Sequence, residues 1–204
     1  MTRPLRTIML AATGALALAG CATGPSPIEV TRFHDPARLA AERGSVAVTA
    51  APGAADSLAL APYRTAVAQE LERLGYRVVD GGVANTARYR AELSVDRFAR
   101  DGAGRRSPVS VGVGGSTGTF GSGLGVGLGI NLGGGGGPRG GTQLAVTLRD
   151  AGNNASVWEG RAEVEYGLRS NFAAATRNAE ALATALFRDF PGNNGETVRV
   201  NAGR

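Results

Sequence analysis

Residues 144–166, LAVTLRDAGNNASVWEGRAEVEY, decide the fold class. Leu144, Val146 and Leu148 alternate with Ala145, Thr147 and Arg149. A period of two turns one side of a strand toward a core and the other toward water. Asp150-Ala151-Gly152-Asn153-Asn154 is made of turn residues, and Val157 to Tyr166 returns as another strand, so the stretch predicts an antiparallel pair.

The same alternation extends upstream. Tyr89, Ala91, Leu93 and Val95 interleave with Arg90, Glu92, Ser94 and Asp96, a half-buried strand. Ser45 to Thr49 is a short β-branched run that reads as the first strand, and Tyr76 to Val79 reads as another. Between these two, Leu60, Tyr63, Val67, Leu71 and Leu74 recur at spacings of three and four, with Arg64, Glu70, Glu72 and Arg73 on the other side. That is an amphipathic helix, with Pro62 in its first turn and Gly75 as the left-handed residue after its end. A second helix is predicted from Ser170 or Asn171 to about Phe190, stopped by Pro191-Gly192, with Phe172, Ala175, Ala179, Leu182, Leu186 and Phe190 along one face. Thr197 to Val200 reads as a last edge strand. The order predicts an α+β domain: a mainly antiparallel sheet with two amphipathic helices on one face and a glycine-rich β-hairpin insertion. About 150 structured residues suffice for a core that needs no staples.

The insertion lies at 108–141. From Val111 to Gly141, 16 of 31 residues are glycine, a composition whose backbone entropy opposes ordering. Val109, Val111 and Val113 nevertheless alternate with Ser or Gly, and Leu124, Val126, Leu128, Ile130 and Leu132 alternate with Gly125, Gly127, Gly129 and Asn131. Period two favours strand over a small-xxx-small membrane helix. One reading is a hairpin extending the sheet, with Gly133 to Gly141 as a mobile loop. The other is a hairpin whose apolar face meets lipid or a neighbouring subunit, since the nine residues Leu124–Leu132 are the low end of a membrane-spanning strand.

Residues 1–20 have the parts of a secretory signal: Arg3 and Arg6, an apolar run from Ile8 to Ala19, and a small-residue cleavage region. The run is about a dozen residues, whereas a spanning helix needs roughly 20. Leu18-Ala19-Gly20-Cys21 resembles the lipobox of bacterial lipoproteins. The resemblance implies a diacylglycerol thioether on Cys21, cleavage before it and acylation of the new amino group. One acyl chain binds a bilayer marginally, whereas two or more anchor stably. Cys21 is the only cysteine, so the mature chain holds no disulfide. Ala22, rather than Asp, follows it, which by the habit of such proteins points to the periplasm-facing leaflet of the outer membrane. The expected organisation is a signal peptide at 1–20, a lipidated N-terminus and tether at 21–44, with Ala22 to Pro27 of flexible composition, and one domain at 45–204.

Loss of Arg3 and Arg6 takes the 22 basic side chains to 20 against 17 acidic ones, a formal +3. Every basic residue is Arg, and the only adjacent pair is Arg105-Arg106, so the clustered stripe of a nucleic-acid binder is missing. Gly114-Gly115-Ser116-Thr117-Gly118 matches a nucleophile elbow, but that motif needs a histidine later in the chain, and the single histidine, His34, precedes it. His34 reads as solvated, having no second His and no Cys in the mature fold with which to bind zinc. Gly135, Gly137 and Gly140 fit a dinucleotide spacing interrupted by Pro138, with a strand where a helix should open. A Walker loop is excluded because the chain has no lysine. Glu159, Glu163 and Glu165 lie on one strand, with Glu163 and Glu165 sharing a face as solvated groups rather than a catalytic pair. No enzyme, cofactor or metal site is expected.

Taken together, Tyr63 through Leu74-Gly75-Tyr76-Arg77-Val78, the glycine-rich stretch, Asp150 with Gly152, Val157-Trp158-Glu159-Gly160-Arg161-Ala162, Leu186-Phe187 to Phe190-Pro191-Gly192 and Gly195-Glu196-Thr197 resemble bacterial lipoproteins carrying the domain of unknown function 4136. That family has no assigned activity, so the resemblance implies a fold and an address. The functional expectation is a non-catalytic envelope lipoprotein, a structural or binding module held to the membrane through lipid on Cys21, with an envelope protein partner or self-association. The alternative is a subunit of an oligomeric outer-membrane secretion or pore assembly that uses the glycine-rich hairpin.

Overall fold

A computed structural model describes residues 25–39, 43–54, 57–79, 86–100, 106–108 and 139–202. The strands are β1 (Ile28–His34), β2 (Ser45–Ala50), β3 (Arg77–Val79), β4 (Tyr89–Arg100), β5 (Arg106–Pro108), β6 (Arg139–Asp150), β7 (Ser156–Gly167) and β8 (Thr197–Val200). The helices are α1 (Ala61–Arg73) and α2 (Ala175–Phe187). The strands form one sheet in the order β3-β2-β4-β6-β7-β1-β8, with β5 pairing β4.

Residues 144–166 are the centre of this sheet. β6 and β7 pair antiparallel, with Leu144 opposite Ala162 and Val146 opposite Gly160, and β4 adds antiparallel to β6 with Leu93 opposite Val146. Alternation buries Ala91, Leu93, Leu144, Val146, Leu148, Ala162 and Val164 on one side, where both helices pack into the same core as Tyr63, Val67, Leu71, Leu182 and Leu186. Burial of such side chains stabilises by roughly 1.5–3 kcal/mol each. The helices touch each other as well as the sheet.

The sheet is mixed, where a mainly antiparallel one was expected. β2 runs parallel to both β3 and β4. α1 accounts for the β2–β3 pair: it returns the chain across the face, so the strand after it lies beside β2 in the same direction, as in a β-α-β crossover, and β4 takes the other side of β2.

β1 was not expected either. Residues 28–34 lie in the stretch assigned to the tether, yet they form a strand between β7 and β8, antiparallel to both. Ile28 and Val30 are buried, and so is Arg32, the next inward position, while Phe33 faces out at 53% exposure. The hydrophobic pattern therefore inverts halfway along the strand, which hides it from periodicity.

α1 has its Pro in the first turn, and Gly75 follows it at φ +88°, as the sequence predicts. α2 is shorter than predicted at both ends. Asn171–Ala173 is a separate 3-10 turn, Ala174 is extended at ψ 127°, and Phe190 lies beyond the helix end. The expected loop at 133–141 is corrected at its end, because Arg139, Gly140 and Gly141 belong to β6. Gly141 must be glycine, since a Cβ there would enter the ring of Phe98, which covers it from β4. Residues 109–138, including the predicted hairpin strands and Ser116, lie outside the described residues, as do the signal segment and Cys21.

Candidate functional surface

Among the described residues, Ser26 is held to the sheet ahead of β1. Its backbone N–H donates to the Glu165 carbonyl at 2.8 Å, and the Glu165 N–H donates to Ser26 Oγ at 2.9 Å. Ser26 is thereby fixed to the C-terminal end of β7, five peptide steps from Cys21. The end of the sheet that receives it also holds the end of β4 and the start of β6. Register places Arg106, Arg100 and Arg139 side by side across β5, β4 and β6, with Gly167 of β7 opposite Arg139. Arg139 and, in the turn after β7, Arg169 are exposed. Arg100 pairs with Glu165 and stacks over Phe98, its guanidinium 5.6 Å from the ring centroid. Like charges directly across strands oppose pairing unless something neutralises them.

Glu159, Glu163 and Glu165 lie on the open face of β7, away from the helices. Glu163 faces Gln143 and Glu29, Glu159 faces Thr147 and Phe33, and Glu165 is held by Arg100, so no two form an isolated carboxylate pair. Arg149 and Arg90 both approach Glu92 on the same face, at 2.9 and 3.6 Å. His34 lies at the opposite end of β1, where its backbone N–H and carbonyl exchange hydrogen bonds with the Asn194 side chain. Among the described residues no group of three or more His, Cys, Asp or Glu could hold a metal ion.

Between the sheet and the helices lies a buried polar cluster that sequence reasoning missed. The Tyr63 hydroxyl donates to Asn178 Oδ1 at 3.0 Å, Asn178 Nδ2 donates to the Phe172 carbonyl at 3.2 Å, and the Thr142 and Tyr166 hydroxyls share a 2.9 Å bond. Arg97 also hydrogen-bonds Tyr63. Burial pushes the Tyr63 hydroxyl above the ordinary tyrosine range, with Arg97 opposing it. The bonds link helix to helix and strand to strand, with Arg97 of β4 joining the two, while Arg97 Nη2 is buried without a hydrogen-bond partner. Asn178, which is fully buried, ties the 3-10 turn to both helices.

A second missed residue sits at the other end of α2. Arg32 Nε donates to the Leu186 carbonyl at 2.7 Å and Nη2 to the Ala185 carbonyl at 2.8 Å, so a buried guanidinium caps the helix C-terminus. Desolvation lowers its pKa, with Asp189 acting the other way. Trp158 is 1% exposed, stacks on Phe187 at 5.3 Å and donates from Nε1 to the Pro191 carbonyl at 3.0 Å. It is a core residue rather than a binding anchor.

Two clefts flank α2. One of about 240 Å³ lies against β8 between Arg177, Glu180, Thr184 and Val200. The other, of about 280 Å³, lies over the helix pair between Glu70, Arg73, Phe187 and Arg188. Both fall below the usual size of roughly 300–1,000 Å³ for small-molecule sites. In the second, Glu70 accepts from Thr184 Oγ1 at 2.6 Å and pairs with Arg73, which occupies its oxygens. No helix among the described residues is long and apolar enough to cross a membrane.

No family model matches the chain, and no curated protein sequence matches it. Among solved structures the fold is similar to the PelC dodecamer from Paraburkholderia phytofirmans. In a P6 crystal form the TM-score is 0.44 at 16% identity, covering 78% of this chain and 93% of that one. For a point variant of the same protein in space group C2 it is 0.45 at 19% identity, covering 77% and 93%.

Proposed function

We propose that this protein is a non-catalytic lipoprotein of the cell envelope, anchored through acyl chains on Cys21 to the periplasm-facing leaflet of the outer membrane, where it acts as a structural or binding module. The observation that carries the reading is the pattern Leu18-Ala19-Gly20-Cys21 followed, within five peptide steps, by a residue already locked to the sheet. A chain extends at most about 3.3–3.6 Å per residue, so Cys21 lies within roughly 18 Å of Ser26. The domain is then held against the bilayer rather than on a long leash. The likeness to proteins with the domain of unknown function 4136, a family with no assigned activity, is part of the same reading.

The test is the intact mass of the protein from native membranes. The expected result is an N-terminal Cys21 heavier than its amino acids by a diacylglycerol and an amide-linked acyl chain, with Cys21→Ser releasing the protein to the soluble fraction. An unmodified mass, or unchanged fractionation of the variant, overturns the proposal. A second reading, a subunit of an oligomeric outer-membrane assembly, draws on the flanks of residues 109–138: β5 and β6 lie on either side of β4 at the end of the sheet where Ser26 is held. Mass measurement in detergent separates the two readings, a stable monomer excluding the second.

A further inference from the structure

We infer that the cleft between α2 and the free edge of β8 takes an extended peptide, added to the sheet as a further strand, with an apolar side chain at its centre and carboxylates two residues to either side. The inference rests on the binding role proposed above and names the kind of partner such a role serves.

β8 ends the sheet: it pairs with β1 on one side, and among the described residues no backbone group pairs with its other side. Edges left open in this way are commonly blunted by a proline or an inward-pointing charge. β8 has neither. Its inward positions are Val198 and Val200, and Arg199 turns to the open face, where it pairs with Glu29. An added strand gains affinity from main-chain hydrogen bonds to such an edge, and pockets for its alternate side chains give specificity. The cleft is a pocket of that kind. Direct cross-strand neighbours share a face, so residues of an added strand opposite Val198 and Val200 point toward α2. There Phe172, Ala181 and Ala185 make a floor beside Val200. A volume of about 240 Å³ is small for a free ligand but holds a side chain of a strand already fixed by its backbone.

Charge sets the spacing. Arg32 caps α2 from β1, whose Thr31 pairs with Thr197 and whose Ile28 pairs with Val200. α2 therefore runs opposite to β8, with Arg188 toward Thr197 and Arg177 toward Asn201. Both arginines are exposed, line the cleft and form no ion pair among the described residues. Arg177 stacks over the Phe172 ring at 5.8 Å, which leaves the edge of its fork open to a carboxylate. The two lie 11 positions apart on the helix, about 16 Å at roughly 1.5 Å per residue. Strand positions i, i+2 and i+4 share a face and span about 13 Å, and the side chains reach the rest. Glu180 lies between the arginines and disfavours an acid at i+2, where the floor suits a residue such as valine. Asp189 and Glu196 act on Arg32 from the turn beyond and do not line the cleft.

The probe is the end-blocked peptide Thr-Thr-Asp-Thr-Val-Thr-Glu-Thr-Thr, titrated to millimolar concentration into the isotope-labelled chain from residue 21 carrying Cys21→Ser, with amide chemical shifts as the readout. The expected result is saturable shifts confined to β8 and the outer flank of α2. Arg177→Gln with Arg188→Gln should weaken binding about fivefold, as should lysines at the two acidic positions of the peptide. Ala181→Leu, which fills the floor, should abolish saturation. Far-UV circular dichroism and Trp158 fluorescence check the fold, and the arginine variants, at exposed positions, decide the matter if Ala181→Leu disturbs it. Absence of saturable shifts, shifts away from this edge, or equal binding of the lysine peptide overturns the inference. So do shifts of the same amides on dilution without peptide, which would put a second copy on the edge, or shifts of the α2 amides on shortening the chain to Ala202, which would put residues 203–204 there. None of these outcomes involves the mass at Cys21, so the inference and the lipid anchor fail separately.

Discussion

Gly160→Ala should destabilise the protein by about 1–3 kcal/mol, the range for forcing a methyl group into a filled core. Gly160 sits on β7 opposite Val146 and Arg32, on the side covered by α2. A Cβ built there would penetrate the Trp158 ring and lie 2.8 Å from Leu186 Cδ1. Neither neighbour can retreat easily. The indole is 1% exposed, stacked on Phe187 and Phe190 and tied to the Pro191 carbonyl, and Leu186 is fully buried on α2. Relief therefore means moving α2 or leaving a rotamer minimum. With a urea slope of about 1–3 kcal/mol/M, the unfolding midpoint should fall by roughly 0.5–2 M while the slope stays constant. Trp158 is the single tryptophan, so its fluorescence reads this region without interference from another indole. Gly167→Ala, on the same strand, is the control: a Cβ there meets nothing within 4 Å, so the midpoint should hold or rise slightly. Equal midpoints for parent, Gly160→Ala and Gly167→Ala would show that the packing argument around Trp158 is wrong.

Arg32→Met should cost roughly 2–3 kcal/mol, because the Ala185 and Leu186 carbonyls lose charge-assisted donors inside the core, partly offset by the desolvation that the guanidinium no longer suffers; a midpoint equal to the parent's contradicts the cap. Tyr63→Phe should cost about 1–3 kcal/mol at neutral pH by leaving Asn178 Oδ1 without its donor. Tyr63 and Tyr76 both have pKa values raised, chiefly by burial. The unfolded chain then loses these protons first, at about pH 10, so their contribution is complete below that pH and is lost as pH rises through the folded-state values. Urea midpoints should be flat in this respect up to about pH 9 and fall above pH 10, less steeply in Tyr63→Phe, and identical alkaline slopes in variant and parent would exclude Tyr63 as a source.

The antiparallel centre of the sheet, α1 with its capping Pro62 and Gly75, and the edge strand β8 were legible because each element obeys a local rule of period or turn chemistry. The parallel pairing of β2 was not, since strand direction is set by how α1 lies on the sheet, and periodicity carries no direction. β1 escaped because Arg32 occupies a core position while Phe33 faces solvent. An arginine taken as polar breaks the alternation, although its true environment is the carbonyl end of a distant helix. Gly140 and Gly141 read as loop on composition, yet they pair with β4 and β7 as strand, and they are glycine because Phe98 and Tyr166 fill the space a side chain would need. The register that sets Arg100 of β4 opposite Arg139 of β6, at the end of the sheet where Ser26 is held, is not visible in the sequence because the two positions are 39 residues apart.

The insertion of β1 between β7 and β8 bears on how such a chain must mature. Its partners are distant: Ser26 bonds a residue 139 positions later, and Glu29 pairs with one 170 positions later. On the export route proposed above, in which the chain threads through a translocon from its N-terminal side, Ile28 and Val30 would emerge early and stay without a mate until almost everything else had crossed. A slow, late closure of this kind leaves a sticky ribbon exposed in the meantime, with aggregation as the competing fate. Release of the last few residues thus becomes the event that seats the first ones, so a nascent chain halted before β8 should be the species most dependent on a holding chaperone.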